Sequence, residues 1–285
     1  MAVDDAQRVG ASVRAARLAR GAGLRMLAAR IGVSPSTLSQ IEHGRTRLTV
    51  DRLGVIAAAL DVPVGDILDG RTPRAPEASS EPRREVTDWR RYDPLDLDPV
   101  LDAARAEFLA VGYHGATMRR IASRCGLSVS GLYHHFAGKQ QILLALVEVT
   151  MADLGRRADA ARAEGSDPVD RFCLLVENLA LYHSHRAELA FVGNTEMRSF
   201  TEANRRRVAG LRTRQQRMVD AEVDAAVAAG AFRTDHPHEA SRAVVTMCTA
   251  LTDWYRPGGP STPEQIARRY VGFALDMLED VRATG

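Results

Sequence analysis

Along most of the chain, apolar residues recur three or four positions apart, the spacing of one face of an α-helix, and no stretch reads convincingly as a strand. The first quarter predicts short helices at about 7–20, 24–31, 35–43, 50–60 and 64–68, with Leu53, Ile56, Ala57 and Leu60 marking the inward face of the fourth. The periodicity stops at Gly70. From there to Asp93 the chain is rich in Pro, Arg, Ser and Glu, including Pro73, Pro76 and Pro82, with almost nothing to bury. Such a stretch predicts a flexible tether with a root-mean-square span of roughly 25–30 Å. Helical spacing resumes near Pro99, with helices expected at about 99–111, 117–125, 129–135, 139–162, 168–185, 187–199, 201–229, 238–255 and 263–282. The fold class expected is all-α: a five-helix domain over 7–69, a linker over 70–93, a small domain over 94–145 and a larger helical domain over 146–285.

Two of the predicted helix pairs obey one template. Leu27-Ala28, three residues, Gly32-Val33-Ser34 and then Leu38 is repeated as Ile121-Ala122, three residues, Gly126-Leu127-Ser128 and then Leu132. A small Ala lets two helices approach, Gly takes the left-handed conformation that closes the first, Ser accepts an N–H bond at the start of the second, and Leu fills the shared core. This is the punctuation of a helix-turn-helix, present twice.

Composition changes the picture through its distribution rather than its total. The net charge is only +2, yet nine Arg between Arg8 and Arg52 face only Glu42 and Asp51, and Tyr113 to Gln140 carries Arg119, Arg120, Arg124 and Lys139 with no acid. Positive charge thus gathers at the two motifs, as attraction to phosphate requires. Lys139 is the single Lys among the 38 Lys and Arg. The chain has neither the succession of a signal peptide nor an apolar run of membrane-spanning length, so a cytoplasmic protein is expected. Cys125, Cys173 and Cys248 are odd in number and far apart, which predicts reduced thiols and no metal knuckle. Nucleophile-elbow, HExxH and phosphate-loop patterns are missing, and neither His134 with His135 nor His183 with His185 shares a helix face. No catalytic residue, cofactor or metal site is therefore assigned; the expected partner is double-stranded DNA.

Residues 7–69 resemble the Cro/cI-like (XRE-type) helix-turn-helix family, most clearly from Leu27 to Gly44. The resemblance implies that Pro35, Ser36, Thr37 and Gln40 start a recognition helix, that Arg45 and Arg47 hold phosphates, and that Arg17 pairs with Glu42 beneath that helix. Gly23 and Leu24 stand where many relatives carry a hydroxyl or amide residue and a phosphate-contacting Gln. Two readings stay open for this first head: a second grip on DNA, or a module that contacts a protein.

The segment Gly112-Tyr113-His114-Gly115-Ala116-Thr117, Arg119-Arg120-Ile121-Ala122, Gly126-Leu127-Ser128, Gly131-Leu132-Tyr133-His134-His135-Phe136 and Lys139 resembles the TetR-type DNA-binding domain. That resemblance implies phosphate contacts from Thr117, Tyr133, His135 and Lys139, and base reading by Arg119, Ser128, Val129, Ser130, Gly131 and His134. Among these, Arg119 has the chemistry for a bidentate contact to guanine.

TetR-like proteins carry a variable ligand and dimerisation domain behind this head, and 146–285 has the length for it. The stripes Ala240, Ala243, Val244, Met247, Leu251 and Ile266, Tyr270, Phe273, Ala274, Met277, Val281 suggest a four-helix interface in a homodimer. Phe172, Val176, Leu179, Tyr182, His183, Phe191, Val192, Met197, Trp254 and Tyr255 are candidate lining residues of an apolar effector pocket. The stretch Trp254 to Pro260 before Thr262-Pro263-Glu264 resembles a turn of TetR-like repressors of fatty-acid and steroid catabolism, several of which answer to acyl-CoA thioesters. The basic run Arg205, Arg206, Arg207, Arg212, Arg214 and Arg217 is either a solvated helix face or a set of partners for CoA phosphates.

Overall fold

The computed structural model of the protein describes residues 2–279 other than Gly21, Arg47, Asp61 and 71–87; within its helices the side chains of 2–5, Ala19 and His134 are left aside. In chain order the elements are α1 (Ala2–Ala19), α2 (Leu24–Arg30), α3 (Pro35–Glu42), α4 (Val50–Leu60), α5 (Val64–Leu68), α6 (Pro99–Gly115), α7 (Met118–Arg124), α8 (Val129–His135), α9 (Lys139–Glu164), α10 (Pro168–His185) and α11 (Ala187–Thr195). A 3₁₀ turn at Glu196–Ser199 follows, then α12 (Glu202–Ala228), α13 (Pro237–Thr249), α14 (Leu251–Trp254) and α15 (Pro263–Met277). Among the described residues there is no strand, and no helix is long and apolar enough to cross a membrane.

The chain forms two compact units, the first from 2–70, 98–107 and 114–143, the second from 88–97, 108–113 and 144 onward. In the first unit both motifs fold as the template dictates. Gly32 (φ 68°) and Gly126 (φ 72°) occupy the left-handed region. Ser34 Oγ accepts the Thr37 N–H at 3.0 Å and Ser128 Oγ accepts the Gly131 N–H at 2.9 Å. Leu38 and Leu132 are fully buried. Close approach of α1 to α3 depends on Gly10, where a Cβ would sit 2.4 Å from the Ile41 carbonyl oxygen.

The second unit is built around α10, which packs against α12, α13 and α15. Its start is set by Asp167, which accepts the N–H groups of Val169 and Asp170, and by Pro168 in the first turn. Phe172, Leu175, Val176, Leu179 and Tyr182 form its buried face. α15 opens with a capping box between Thr262 and Gln265.

Several boundaries differ from the sequence reading. The helix expected at 238–255 is interrupted at Ala250, dividing α13 from α14, and 187–199 ends in a 3₁₀ turn. α15 stops at Met277, while Val281 lies outside the described residues. The tether expected to run to Asp93 does not extend that far. Trp89 is buried among α9 and α10 side chains, and its indole N–H donates to Glu164 at 2.8 Å. Arg157 donates to the carbonyls of Trp89 and Arg91 at 2.8 and 2.9 Å, and its guanidinium lies 4.0 Å from the Tyr92 ring centre. Arg90 bridges Glu177 and Glu164. The aromatic pair Trp89 and Tyr92 gives this strap something to bury, which the polar composition around it conceals. The rest of the expected tether, 71–87, lies outside the described residues.

Candidate nucleic-acid interface and effector cavity

In the first head, Pro35, Ser36 and Gln40 are exposed on α3 and Arg45 is exposed beyond it. Thr37 is half-buried, with its hydroxyl 2.8 Å from Ser34 Oγ. Arg45 follows the tight turn at Gly44 (φ 67°); Arg47 lies outside the described residues. Under α3, Arg17 grips Glu42 with two bonds, Nε to Oε1 at 2.6 Å and Nη2 to Oε2 at 2.9 Å, and gives its Nη1 to the Ala22 carbonyl at 2.9 Å. This buried fork ties α1, the turn before α2, and α3 together. At the Gly23–Leu24 departure, the N-cap Gly23 offers no side-chain bond to α2.

In the second head, Thr117 caps α7 by accepting the Arg120 N–H at 3.2 Å, and Arg119 projects into solvent. On α8, Ser128, Ser130 and His135 are exposed, Val129 and Gly131 half-buried; the His134 side chain lies outside what is described. Two expected phosphate contacts are otherwise engaged. Lys139 Nζ donates to the Ala116 carbonyl at 2.6 Å, steadying the turn that leads into α7. The Tyr133 ring is half-buried against α4, where a Cβ added to Gly54 would lie 3.2 Å from Tyr133 Cε1. A buried acid, Glu107 on α6, pairs with both Arg120 and Arg124. The charge pattern gave no sign that these two arginines share a buried counter-ion.

The second unit holds a cavity of about 470 Å³ between α9, α10, α11, α12 and α13. Val147, Met151, Leu154, Leu179 and Val245 supply apolar wall, and Arg212, Arg217 and Arg242 bring three cations to it. Of the candidate lining residues only Leu179, Tyr182 and His183 line this cavity. Phe172 packs edge-to-face on Phe232 at 5.2 Å in the core, where Val176 and Tyr255 are also buried, and Trp254 is about half exposed at 51%. Phe191, Val192 and Met197 lie apart from the cavity lining. Helical spacing marks an inward side chain but does not separate a packed core from a lined void.

The polar groups of the cavity are disposed unevenly. Tyr182 spends its hydroxyl on the Thr150 carbonyl at 2.8 Å. His183 Nδ1 donates to Leu179 O at 2.8 Å, and burial pushes this imidazole down to about 4, so it is neutral at pH 7 with Nε2 left as an acceptor. Arg212 turns inward, donating to the Gly193 carbonyl at 2.7 Å and to Asn194 Oδ1 at 3.1 Å, and desolvation lowers its pKa. Gln215 is buried, and among the described residues its amide Nε2 has no hydrogen-bond partner. The basic run therefore divides: Arg205 and Arg206 pair with Glu202 and Arg207 with Glu148 on the surface, whereas Arg212 and Arg217 reach the cavity.

Two helix-turn-helix heads in one unit and a lined cavity in the other are the parts of a DNA-binding transcriptional regulator. Family descriptions agree segment by segment: "Helix-turn-helix" matches residues 13–67, "Bacterial regulatory proteins, tetR family" 100–146, and "Tetracyclin repressor-like, C-terminal domain" 165–278. The HTH-type transcriptional repressor KstR2 of Rhodococcus jostii is 29% identical over 199 residues, 66% of this chain and 91% of that protein. A tetR-family regulatory protein from Rhodococcus RHA1 has a structure with TM-score 0.60 at 26% identity, covering 63% of this chain and 95% of that one. AibR, solved with isovaleryl coenzyme A and operator DNA, shares the fold with TM-score 0.58 at 23% identity over 61% of this chain and 95% of that one. The chain belongs to the TetR family, with an additional XRE-type helix-turn-helix domain at its N-terminal end.

Proposed function

We propose that this protein is a cytoplasmic, homodimeric repressor that leaves its operator when an acyl-CoA thioester enters the cavity of the second unit. Residues 94–145 supply the operator-reading head, 7–69 the added head, and 146–285 the effector and dimer part. The observation that carries the reading is the polarity of the cavity: apolar walls, a Gln215 donor with no partner among the described residues, and Arg212, Arg217 and Arg242 against the single carboxylate of Asp220 in the lining. A buried donor without an acceptor costs about 1–3 kcal/mol, which a thioester carbonyl would recover. The acyl chain fits the wall of Val147, Met151, Leu154 and Val245, and the arginines meet the phosphates of CoA. The chemistry proposed for this cavity is binding alone.

Base reading is assigned to Arg119, Ser128, Val129, Ser130, Gly131 and His134, and phosphate contact to Thr117, Tyr133, His135 and Lys139. In the first head Pro35, Ser36, Thr37, Gln40, Arg45 and Arg47 keep the same kind of role. Trp254, half-buried Tyr270, Phe273 and Met277 form the exposed apolar face through which two copies would pair, with Phe273 55% and Met277 42% exposed. The test is a footprint of the full chain on DNA from its own upstream region, with and without a panel of short, long and steroid-derived acyl-CoA thioesters at micromolar concentration. Protection that one thioester class removes, and that Arg119→Ala abolishes, is expected. Protection indifferent to the whole panel overturns the effector assignment.

A further inference from the structure

The two heads touch each other directly. Gly54 lies in the middle of α4, buried, and the nearest neighbours of a Cβ placed on it all belong to the second head: Tyr133 Cε1 at 3.2 Å, Ala137 O at 3.4 Å and Tyr133 Cδ1 at 3.8 Å. The missing side chain makes a notch that the Tyr133 ring fills. Ala137, only 3% exposed, belongs to the same apolar cluster as Leu53, Ile56, Ala57, Val64 and Ile67. α5 packs along α8. The first head thus completes its own core with residues from the end of the second head's recognition helix.

This contact uses the wrong side of α8 for a shared grip on DNA. Tyr133 is a residue assigned to the sugar-phosphate strand, and here its ring is spent on protein. Burial, and after it the Asp51 carboxylate, hold its hydroxyl above the usual tyrosine range, which puts an acid of the first head within electrostatic reach of the phosphate-facing group. Carboxylates beside a phosphate contact oppose DNA rather than recruit it.

We propose that the first head is a cover for the second: seated through the Gly54 notch and α5, it competes with DNA for Tyr133, and the second head binds its operator fully only when the first head moves away. When the open state is a minority, apparent affinity falls by the open fraction, and a cover seated nine-tenths of the time weakens binding about tenfold.

Gly54 offers a probe aimed at this contact. The three nearest neighbours of a Cβ there all belong to the second head, and Ala or Gln favours a helix interior over Gly by up to roughly 1 kcal/mol. The experiment compares the full chain with Gly54→Ala and Gly54→Gln, without effector, by fluorescence anisotropy on a duplex enriched from a random library by the Gly54→Gln chain. Hydrogen exchange of the α8 amides is followed in parallel. Expected are affinities rising from Gly to Ala to Gln, reaching about tenfold, loss of that gain when Arg119→Ala is added, and faster α8 exchange in Gly54→Gln than in the unchanged chain. Equal or weaker binding by Gly54→Gln, a gain that survives Arg119→Ala, or α8 exchange identical in both chains would each overturn the proposal. The first of these would instead mark the seated heads as one composite DNA reader. Because no thioester is added, failure here leaves the effector assignment to stand or fall on its own test.

Discussion

The carboxylate of Glu196 accepts the backbone N–H of Tyr113 at 3.0 Å, at the point where Gly112 (φ 67°) breaks α6. Glu196 begins the 3₁₀ turn that ends α11, and two residues earlier in α11 Asn194 receives Arg212 from the cavity wall. The cavity arginine and the kink that precedes α7 in sequence are therefore held by one short stretch, Gly193 to Glu196. A ligand that draws Arg212 toward its phosphates would take bonds away from Gly193 and Asn194, in the same short stretch as the Glu196 contact.

That relationship predicts a separation of functions. Removing a charged acceptor from an N–H costs about 1.5–3 kcal/mol locally. Glu196→Ala should keep operator binding within a few-fold while reducing the shift in operator affinity caused by saturating thioester at least tenfold. Titrating DNA with and without effector measures both quantities. A normal effector response in Glu196→Ala removes this residue from the coupling.

The buried strap gives a spectroscopic prediction, since the two tryptophans lie in opposite environments: Trp89 is 1% exposed and Trp254 51%. Trp254→Phe should leave blue-shifted emission insensitive to iodide, and Trp89→Phe red-shifted emission that iodide quenches. Replacing a buried Trp by Ala costs about 3–5 kcal/mol. Trp89→Ala should accordingly lower the denaturant midpoint of the second unit, which fluorescence from Trp254 reports.

How much of this was legible in the sequence depended on whether the signal was local. The helix-turn-helix template is local: Gly32 and Ser34, or Gly126 and Ser128, act on atoms within a few residues, and both copies fold as written. Arg17 with Glu42 is not local, but resemblance carried it. Trp89 was lost because a window rich in Pro, Arg and Glu averages away one indole whose partners, Glu164 and Arg157, come from α9. Most of the pocket was missed for another reason. Phe172 and Leu179 are both buried on α10, yet only Leu179 borders a void, a difference set by the helices opposite and not by the helix that carries them. Gly54 carried no mark, because a mid-helix Gly shows its use only when the ring that fills its notch is in place.

In the first head, the Arg17–Glu42 fork predicts an asymmetric pair of mutants. Breaking one partner of a buried ion pair leaves the other charge uncompensated, at a cost of about 3–5 kcal/mol. Glu42→Ala should unfold the first head at lower temperature and leave the second unit's transition unchanged, whereas Arg17→Met with Glu42→Leu should recover much of the loss. Calorimetry of the full chain resolves the two transitions. A single-mutant loss equal to that of the double mutant would show that the pair contributes no specific compensation.

The last prediction concerns acid. His183 is buried in the native protein with its imidazole held at about 4, against roughly 6.5 in an unfolded chain. A base depressed by folding binds fewer protons in the native state, so between those two values stability falls as pH falls; above about 6.5 neither state is protonated, and below about 4 both are. Between pH 7 and pH 5 this one group removes about 2 kcal/mol from the second unit. Its neighbour His185 is also lowered, by burial, and adds to the same slope. His183→Gln cannot charge, so its loss of stability over that interval should be smaller than that of the unchanged chain by about 2 kcal/mol, with the His185 contribution common to both. Urea unfolding at pH 7 and pH 5 makes the comparison. Equal losses in the two proteins would mean that His183 meets solvent protons in the folded state, and that the neutral acceptor facing the cavity does not exist.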